Sequence, residues 1–131
     1  TEEDVRRLNA YLQHILDQSS ARIEEFYYCP HHPQGKDEYR KECFCRKPRP
    51  GLLLKAAKDY ETEMKNSYII GDKISDLEAG LAVGVKPILV LTGYGLTEVL
   101  RLPQGAVTKK DLLAASRFIL NLPDNDYYNL H

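Results

Sequence analysis

The sequence is organised around residues 29–51, which read CPHHPQGKDEYRKECFCRKPRPG. This segment holds all three cysteines of the chain, and two of them form the pair Cys43-x-Cys45. A second pair with the same one-residue spacing, Cys29-x-His31, begins the segment. Thiolates and imidazoles bind Zn²⁺ tetrahedrally, and a set of four protein ligands is typical of a structural site. The spacing therefore predicts a zinc loop held by Cys29, His31, Cys43 and Cys45.

Two alternatives stay open at this loop. His32 competes with His31 for the histidine position, and it ranks second because His31 shares the spacing of the cysteine pair. The other alternative is that the three thiols are unrelated buried cysteines. Their grouping beside histidines, in a polar stretch without an apolar pattern, favours the metal, which would replace the packing that this stretch lacks.

Arg46 and Lys47 follow Cys45 directly, so a metal bound at Cys45 would also fix the place of Lys47. A lysine ammonium is a compact charge that can hold a phosphoryl group, and an arginine can bind a second phosphate in bidentate fashion. Taken alone, an Arg-Lys pair is more often solvated surface. Whether Arg46 and Lys47 bind phosphate depends on which other residues the fold places beside them.

A second anchor lies at residues 71–76, which read GDKISD. Asp72 follows a short apolar strand, and in a parallel sheet this places its carboxylate at the edge where Mg²⁺ could bind. Asp76 lies four residues further along, on the same face of the helix that begins here, and is expected to orient Lys47 through a salt bridge. The simpler alternative is that Asp72 or Ser75 only caps the helix.

Hydrophobic periodicity predicts alternating helices and strands along the chain. Helices are expected at residues 1–20, 50–60, 75–83 (closed by Gly84) and 110–120, and strands at 23–28, 67–70 and 87–91. This alternation predicts a three-layer, Rossmann-like α/β fold, in which helices cover both faces of a parallel sheet. Chemistry in such folds gathers at the carboxyl ends of the strands, where Cys29, Asp72 and Gly93 all lie.

The composition argues against several classes of partner. The 18 basic and 19 acidic residues leave a net charge of −1, without a long charged run, so neither nucleic acid nor an anionic membrane is an expected ligand. The longest apolar run is far shorter than a membrane span. An odd number of cysteines fits a metal site in a reducing compartment better than a disulfide framework, so we expect a cytoplasmic protein.

Together these motifs resemble the haloacid dehalogenase (HAD) superfamily of phosphatases, and within it the D-glycero-D-manno-heptose-1,7-bisphosphate phosphatase branch. Residues 29–51 follow the zinc loop of that branch almost letter for letter, and residues 71–76 match its Gly-Asp-Lys-x-x-Asp loop. LVLTGYG at 89–95 is similar to the strand and glycine turn that come next. The resemblance covers roughly residues 1–95. The related histidinol-phosphate phosphatase branch, whose zinc loop is typically shorter, is the alternative.

The resemblance implies a HAD-type phosphatase that removes phosphate from a small phosphorylated sugar, a heptose bisphosphate used to make lipopolysaccharide precursors. Lys47 would stabilise the phosphoryl group and the nucleophile, while Arg46 and Lys73 would bind the substrate. Asp72 would ligate Mg²⁺, and Asp76 would support this catalytic cluster. In the family an aspartate attacks phosphorus and forms a phospho-aspartate that water hydrolyses, which divides one difficult step into two.

The family's Asp-x-Asp-Gly-Thr motif, which contains the nucleophile and the acid/base, does not occur in these 131 residues. The one Asp-x-Asp, at Asp124 and Asp126, lies in a polar tail with no strand before it. We therefore expect residues 1–122 to be the C-terminal portion of a HAD-like phosphatase domain, inactive alone and followed by a loosely ordered tail at 123–131. Sheet edges left open by missing strands would favour self-association. A non-catalytic, zinc-stapled binding module is the alternative from another class.

Overall fold

The computed structural model describes residues 1–30 and 43–124. The chain divides into two compact units, Thr1–Cys43 and Phe44–His131. The predicted ligand His31 and its competitor His32 lie outside the described residues, as do residues 125–131 of the predicted tail. No helix in the described ranges is long and apolar enough to cross a membrane.

The first unit contains helix α1, Glu2–Gln18, close to the predicted range. Thr1 caps the helix, since its hydroxyl oxygen accepts a hydrogen bond from the backbone N–H of Asp4 at 3.2 Å. The Thr1 hydroxyl in turn donates to the Asp4 carboxylate at 2.6 Å, which lowers the pKa of that carboxyl group. Apolar side chains recur at helical spacing, but Leu8 and Ile15 stay exposed and no residue of α1 is buried.

The predicted strand at residues 23–28 is wrong, because this segment has no regular secondary structure. A strand is stabilised by a ladder of backbone hydrogen bonds to a neighbouring strand, and the described part of this unit contains none. Local side chains take backbone donors instead. The Ile23 N–H donates to the Gln13 side chain at 3.2 Å, and the Phe26 N–H donates to the Glu25 carboxylate at 3.0 Å.

The second unit alternates helices and strands, as the periodicity predicts. Its described elements are helix α2 (Gly51–Tyr60), a 3-10 turn (Met64–Asn66), strand β1 (Tyr68–Gly71), helix α3 (Ile74–Leu81), strand β2 (Lys86–Val90), the short helix α4 (Gly95–Glu98), a second 3-10 turn (Val99–Arg101), strand β3 (Val107–Lys109) and helix α5 (Leu112–Ile119).

The three described strands form a parallel sheet in the order β1-β2-β3. Side chains of β2 alternate between the two faces. Leu89 packs with Ile74 and Leu77 of α3, whereas Ile88 and Val90 of the same strand belong to a separate cluster with Ala115 of α5. Both faces of the sheet are therefore covered by helices, which confirms the predicted α/β architecture.

Several boundaries and small elements differ from the predictions. Helix α3 ends at Leu81, earlier than predicted, but Gly84 closes it as expected: its φ is +79°, and the Val85 N–H donates to the Gly80 carbonyl at 3.0 Å. Helix α5 begins at Leu112 because the Asp111 side chain caps it, accepting from the Ala114 N–H at 2.8 Å. Strand β3 was not predicted from the sequence, since three residues are too few to produce a recognisable alternation.

Leu77 provides a test of the packing in the second unit. Its side chain is 0% exposed, so Leu77→Ala is expected to lower the free energy of unfolding by about 2–5 kcal/mol through lost burial and a residual cavity. Leu100 is 93% exposed, and Leu100→Ala is the matched control, expected to change stability by no more than about 0.5 kcal/mol. Urea unfolding of the 131-residue chain measures both, and similar losses in the two variants would contradict the assigned core.

Candidate active site

The candidate site lies at one edge of the sheet in the second unit. β1 ends at Gly71 and its parallel neighbour β2 ends at Val90, with Gly71 aligned to Leu89. Parallel neighbours bring their carboxyl ends to the same edge, where ligands bind in open α/β sheets. Asp72 follows the first strand, and a turn that contains Gly93 follows the second.

Asp72 is oriented by that turn. Its Oδ2 accepts a hydrogen bond from the backbone N–H of Tyr94 at 3.0 Å. Gly93 makes this approach possible, because a Cβ at that position would collide with the Asp72 carboxylate and because its φ is +60°. Asp72 is half-buried, and within residues 1–30 and 43–124 the Tyr94 N–H is the hydrogen-bond partner of its carboxylate.

Asp76 is 7% exposed, and both of its carboxylate oxygens have partners. Oδ2 accepts the backbone N–H of Lys73, the N-cap residue of α3, at 3.2 Å. Oδ1 forms an ion pair with the Lys47 ammonium. Asp76 thus supplies the reciprocal half of a capping box. Neither Asp72 nor Ser75 makes the N-terminal cap, which answers the simpler alternative left open by the sequence.

Gly71 creates the space that Asp76 occupies. A Cβ at Gly71 would lie 2.5 Å from the Asp76 Cβ and closer still to its carboxylate. The close packing of strand end against helix start therefore requires a residue without a side chain at this position. Gly71 at the end of β1 thus leaves room for the Asp76 carboxylate, and the next residue, Asp72, supplies the second carboxylate of the site.

Lys47 lies in a closed turn that precedes α2. The Gly51 N–H donates to the Phe44 carbonyl at 2.9 Å, and inside this turn the Arg49 N–H donates to the Arg46 carbonyl, also at 2.9 Å. The Lys47–Pro48 peptide is cis. The turn presents the Lys47 side chain, which stays 55% exposed, to a carboxylate 29 residues away in sequence. The salt bridge expected from the sequence is present.

The remaining predicted substrate-binding residues lie beside this cluster. Arg46 is exposed and immediately precedes Lys47 in the same turn. Lys73 is exposed between the two aspartates, and its ammonium lies 4.4 Å from the centre of the Tyr94 ring. The structure therefore brings together Lys47, Asp76 and Lys73, and it connects Asp72 to Lys73 through Tyr94.

The predicted zinc ligands are described in part. In the first unit, the sulfur atoms of Cys29 and Cys43 lie 3.0 Å apart, and both residues are half-buried. Cys45 is two residues beyond Cys43, so the chain itself keeps their Cα atoms within about 7 Å. Closely spaced thiols with an imidazole nearby in sequence are a donor set that suits Zn²⁺. The contribution of His31 lies outside the described residues.

Sequence reasoning missed the part played by Tyr94. Its backbone N–H orients Asp72 and its ring contacts Lys73. The sequence predicts only that a strand ends at Gly93. The available signal was its position, because a turn at the carboxyl end of β2 faces whatever follows β1 in a parallel sheet.

The chemistry of this edge follows from its charges. A carboxylate suits a hard divalent cation, and lysine and arginine side chains nearby suit a phosphate. Groups of this kind at the carboxyl ends of parallel strands are typical of α/β proteins that bind phosphorylated ligands. The sequence matches the HAD-hydrolase-like family over residues 44–116, more than half of its length, and the chain belongs to that family.

The curated relatives and solved structures agree with this assignment. The chain is 39% identical over 98 residues to D-glycero-beta-D-manno-heptose-1,7-bisphosphate 7-phosphatase of Haemophilus influenzae, an alignment that covers 74% of this chain and 53% of the relative. It is 42% identical over 100 residues to the Escherichia coli K12 protein of the same name, covering 74% and 52%. The chain thus spans about half the length of the curated relatives it matches.

Two crystal structures resemble the fold. D,D-heptose 1,7-bisphosphate phosphatase of B. bronchiseptica, solved with magnesium and phosphate, aligns with a TM-score of 0.76 at 28% identity, covering 89% of this chain and 63% of that one. A HAD-like phosphatase from Mesorhizobium loti aligns with a TM-score of 0.69 at 21% identity, covering 90% and 57%. The second likeness supports the fold alone.

The double role of Asp76 can be tested by two substitutions. Asp76→Ala removes both the cap and the ion pair, and is expected to lower the free energy of unfolding by about 1–3 kcal/mol. Asp76→Asn keeps an acceptor for the Lys73 N–H but loses the charge, so its loss should be smaller. Asp59→Ala, which removes the exposed partner of Lys55, is the control and should cost about 0.5 kcal/mol or less. Equal losses in Asp76→Ala and Asp59→Ala, measured by urea unfolding, would contradict the role.

Proposed function

We propose that this chain supplies the charge-stabilising part of a HAD-type phosphatase site that acts on a heptose bisphosphate. The observation that carries the proposal is the Lys47–Asp76 ion pair beside Asp72 at the carboxyl edge of the parallel sheet. The names of the relatives from H. influenzae and E. coli support a heptose 1,7-bisphosphate as the substrate. The B. bronchiseptica structure supports magnesium and phosphate as ligands.

Asp72 is the proposed Mg²⁺ ligand. Its Oδ2 is held by the Tyr94 N–H at 3.0 Å, so the carboxylate is oriented before a cation arrives. Mg²⁺ is commonly bound by one or two carboxylates together with substrate phosphate oxygens. When bound, the ion would polarise a phosphoryl oxygen and neutralise negative charge there.

Lys47 is proposed to hold the transferring phosphoryl group. Asp76 orients its ammonium while the side chain remains 55% exposed, so the cation can still contact a ligand. A positioned cation is most effective where charge develops in the transition state, since it needs no reorganisation at the moment of reaction. Arg46 and Lys73 are proposed to bind the rest of the phosphorylated sugar through charge-assisted hydrogen bonds.

The step at phosphorus needs a nucleophile, which the HAD resemblance assigns to Asp-x-Asp-Gly-Thr. A carboxylate oxygen would form a bond to phosphorus as the sugar oxygen leaves and takes up a proton from the acid/base of the same motif. Water, giving a proton back to that acid/base, would then cleave the phospho-aspartate and release inorganic phosphate. This motif does not occur in the 131 residues. The residues described here would therefore stabilise charge and position phosphate in that reaction, without supplying the attacking group.

Cys29, His31, Cys43 and Cys45 are proposed to hold a structural Zn²⁺. The 3.0 Å approach of the Cys29 and Cys43 sulfur atoms supports a shared soft metal. Because Arg46 and Lys47 follow Cys45 directly, the metal would anchor the turn that carries them. Residues 1–122 would then be the C-terminal portion of the phosphatase domain, with 123–131 as its tail.

The cellular setting is also a proposal. The sugar named for the relatives supports a role in making heptose precursors of lipopolysaccharide, and the reduced cysteines of the proposed zinc loop suit the cytoplasm. Self-association through an open sheet edge stays a prediction.

Titration with Mg²⁺ and then inorganic phosphate, followed by amide NMR, tests the proposal without requiring turnover. Mg²⁺ is expected to shift the Tyr94 amide resonance, since that N–H donates to Asp72, and Asp72→Asn should abolish the shift. With Mg²⁺ present, Lys47→Met should weaken phosphate binding about ten- to hundredfold, the value of a charged hydrogen bond.

The control for the lysine is Lys55→Met, which removes an exposed ammonium of α2 paired with Asp59 and should leave phosphate binding unchanged. Equal weakening by Lys47→Met and Lys55→Met would indicate general attraction of the anion rather than a site. A Tyr94 amide that ignores Mg²⁺ in the wild-type chain would overturn the metal assignment.

Zinc analysis tests the ligand set separately. The purified chain is expected to hold about one Zn²⁺, and Cys29→Ser, Cys43→Ser, Cys45→Ser or His31→Ala should each lower that content, because a structural site uses all four ligands. His14→Ala, on exposed α1, and His32→Ala should retain the metal. Loss of zinc in His32→Ala with retention in His31→Ala would show that His32, not His31, is the ligand. Retention of zinc in every variant would exclude the proposed site.

A further inference from the structure

Tyr94 makes two contacts at the edge of the sheet. Its backbone N–H donates to the Asp72 carboxylate at 3.0 Å, and its ring faces the Lys73 ammonium, 4.4 Å from the ring centre. Tyr94 is 60% exposed, so packing into the core does not account for the position of its ring. Tyr94 therefore contacts both Asp72, the proposed Mg²⁺ ligand, and the neighbouring Lys73 ammonium.

The backbone of Tyr94 is held on both sides. Its N–H is bound by Asp72, and its carbonyl oxygen accepts the Thr97 hydroxyl at 2.8 Å and the Glu98 N–H at 3.2 Å. Because the main chain is fixed in this way, few rotatable bonds separate the ring from a rigid turn. Contact with such a fixed ring restricts the conformations of the long, flexible lysine side chain.

Lys73 differs from Lys47 in what holds it. Asp76 pairs with Lys47, whereas none of the ion pairs recorded among the described residues involves Lys73. An aromatic ring attracts an ammonium through its quadrupole and carries no net negative charge. Lys73 is therefore positioned while its full positive charge stays available to an anion.

We infer that Tyr94 is a positioning residue that holds the Lys73 ammonium ready to bind a phosphate of the substrate next to Asp72. The inference rests on the proposed function and adds to it a residue outside the predicted set. Tyr94 acts through Lys73 and touches no reacting atom. The ring, rather than the phenol hydroxyl group, carries the effect.

The test compares Tyr94→Leu, which removes the ring, with Tyr94→Phe, which keeps it. The ring current should move the Lys73 side-chain methylene resonances upfield in the wild-type chain and in Tyr94→Phe, and this shift should vanish in Tyr94→Leu. Tyr94→Leu should also weaken inorganic phosphate binding about two- to fivefold at constant Mg²⁺, which corresponds to an exposed cation–π contact. Mg²⁺ affinity should stay unchanged, because the main-chain N–H remains.

Two controls separate positioning from structural damage. Phe118→Leu removes a ring of α5 whose centre lies 4.5 Å from the Lys109 ammonium of β3, and it should leave phosphate affinity unchanged. In a Lys73→Met background, Tyr94→Leu should have no further effect on phosphate binding, since the lysine through which it acts is gone.

The outcomes are distinct. Phosphate binding that is unchanged in Tyr94→Leu, or weakened equally in the Lys73→Met background, overturns the inference and leaves the proposed function standing. A Lys73 methylene resonance without an upfield shift in the wild-type chain overturns it as well. Absence of phosphate binding in the wild-type chain overturns the proposed function and the inference together.

Discussion

The buried carboxylate of Asp76 is the constraint on which the candidate site depends. A carboxylate that is only 7% exposed needs partners, because an unpaired buried charge costs on the order of several kcal/mol. That cost is comparable with the net stability of a whole domain. One oxygen accepts the N–H of Lys73, the N-cap residue of α3, and the other pairs with the Lys47 ammonium. Satisfying this single group therefore fixes the start of a helix and draws in a turn from a distant part of the sequence.

Much of the second unit could be predicted, because its strands are continuous apolar runs followed by Gly-Asp or Thr-Gly. β2 is buried beyond its first residue and β1 is half-buried, and both are short and apolar, so their sequences show the signal expected of a parallel sheet. The segment 23–28 carries similar residue types but forms no strand, since composition cannot show whether a pairing partner exists. β3 escaped prediction for the opposite reason: it is paired, at Val107–Lys109, but too short to show a pattern.

The site was predictable where charge and spacing carried the information. Asp72, Asp76 and Lys47 stand out because each follows a structural boundary, and the expected Lys47–Asp76 pair is present. The sequence could not show that Asp76 would also cap α3, because that requires the backbone conformation at Lys73. For Tyr94 the sequence offered only its position at the end of β2, since an exposed tyrosine in a glycine turn has no distinctive spacing.

The hydrogen bond from the Tyr94 amide to Asp72 has a consequence for how such a site can diversify. A main-chain donor is present at position 94 for every residue except proline, provided that Gly93 keeps its φ of +60° and leaves space for the carboxylate. The orientation of the Asp72 carboxylate therefore does not depend on the side chain at position 94. Substitutions at position 94 would then change the surface beside this carboxylate without changing its orientation, so that in the proposed site ligand preference and cation binding could evolve separately.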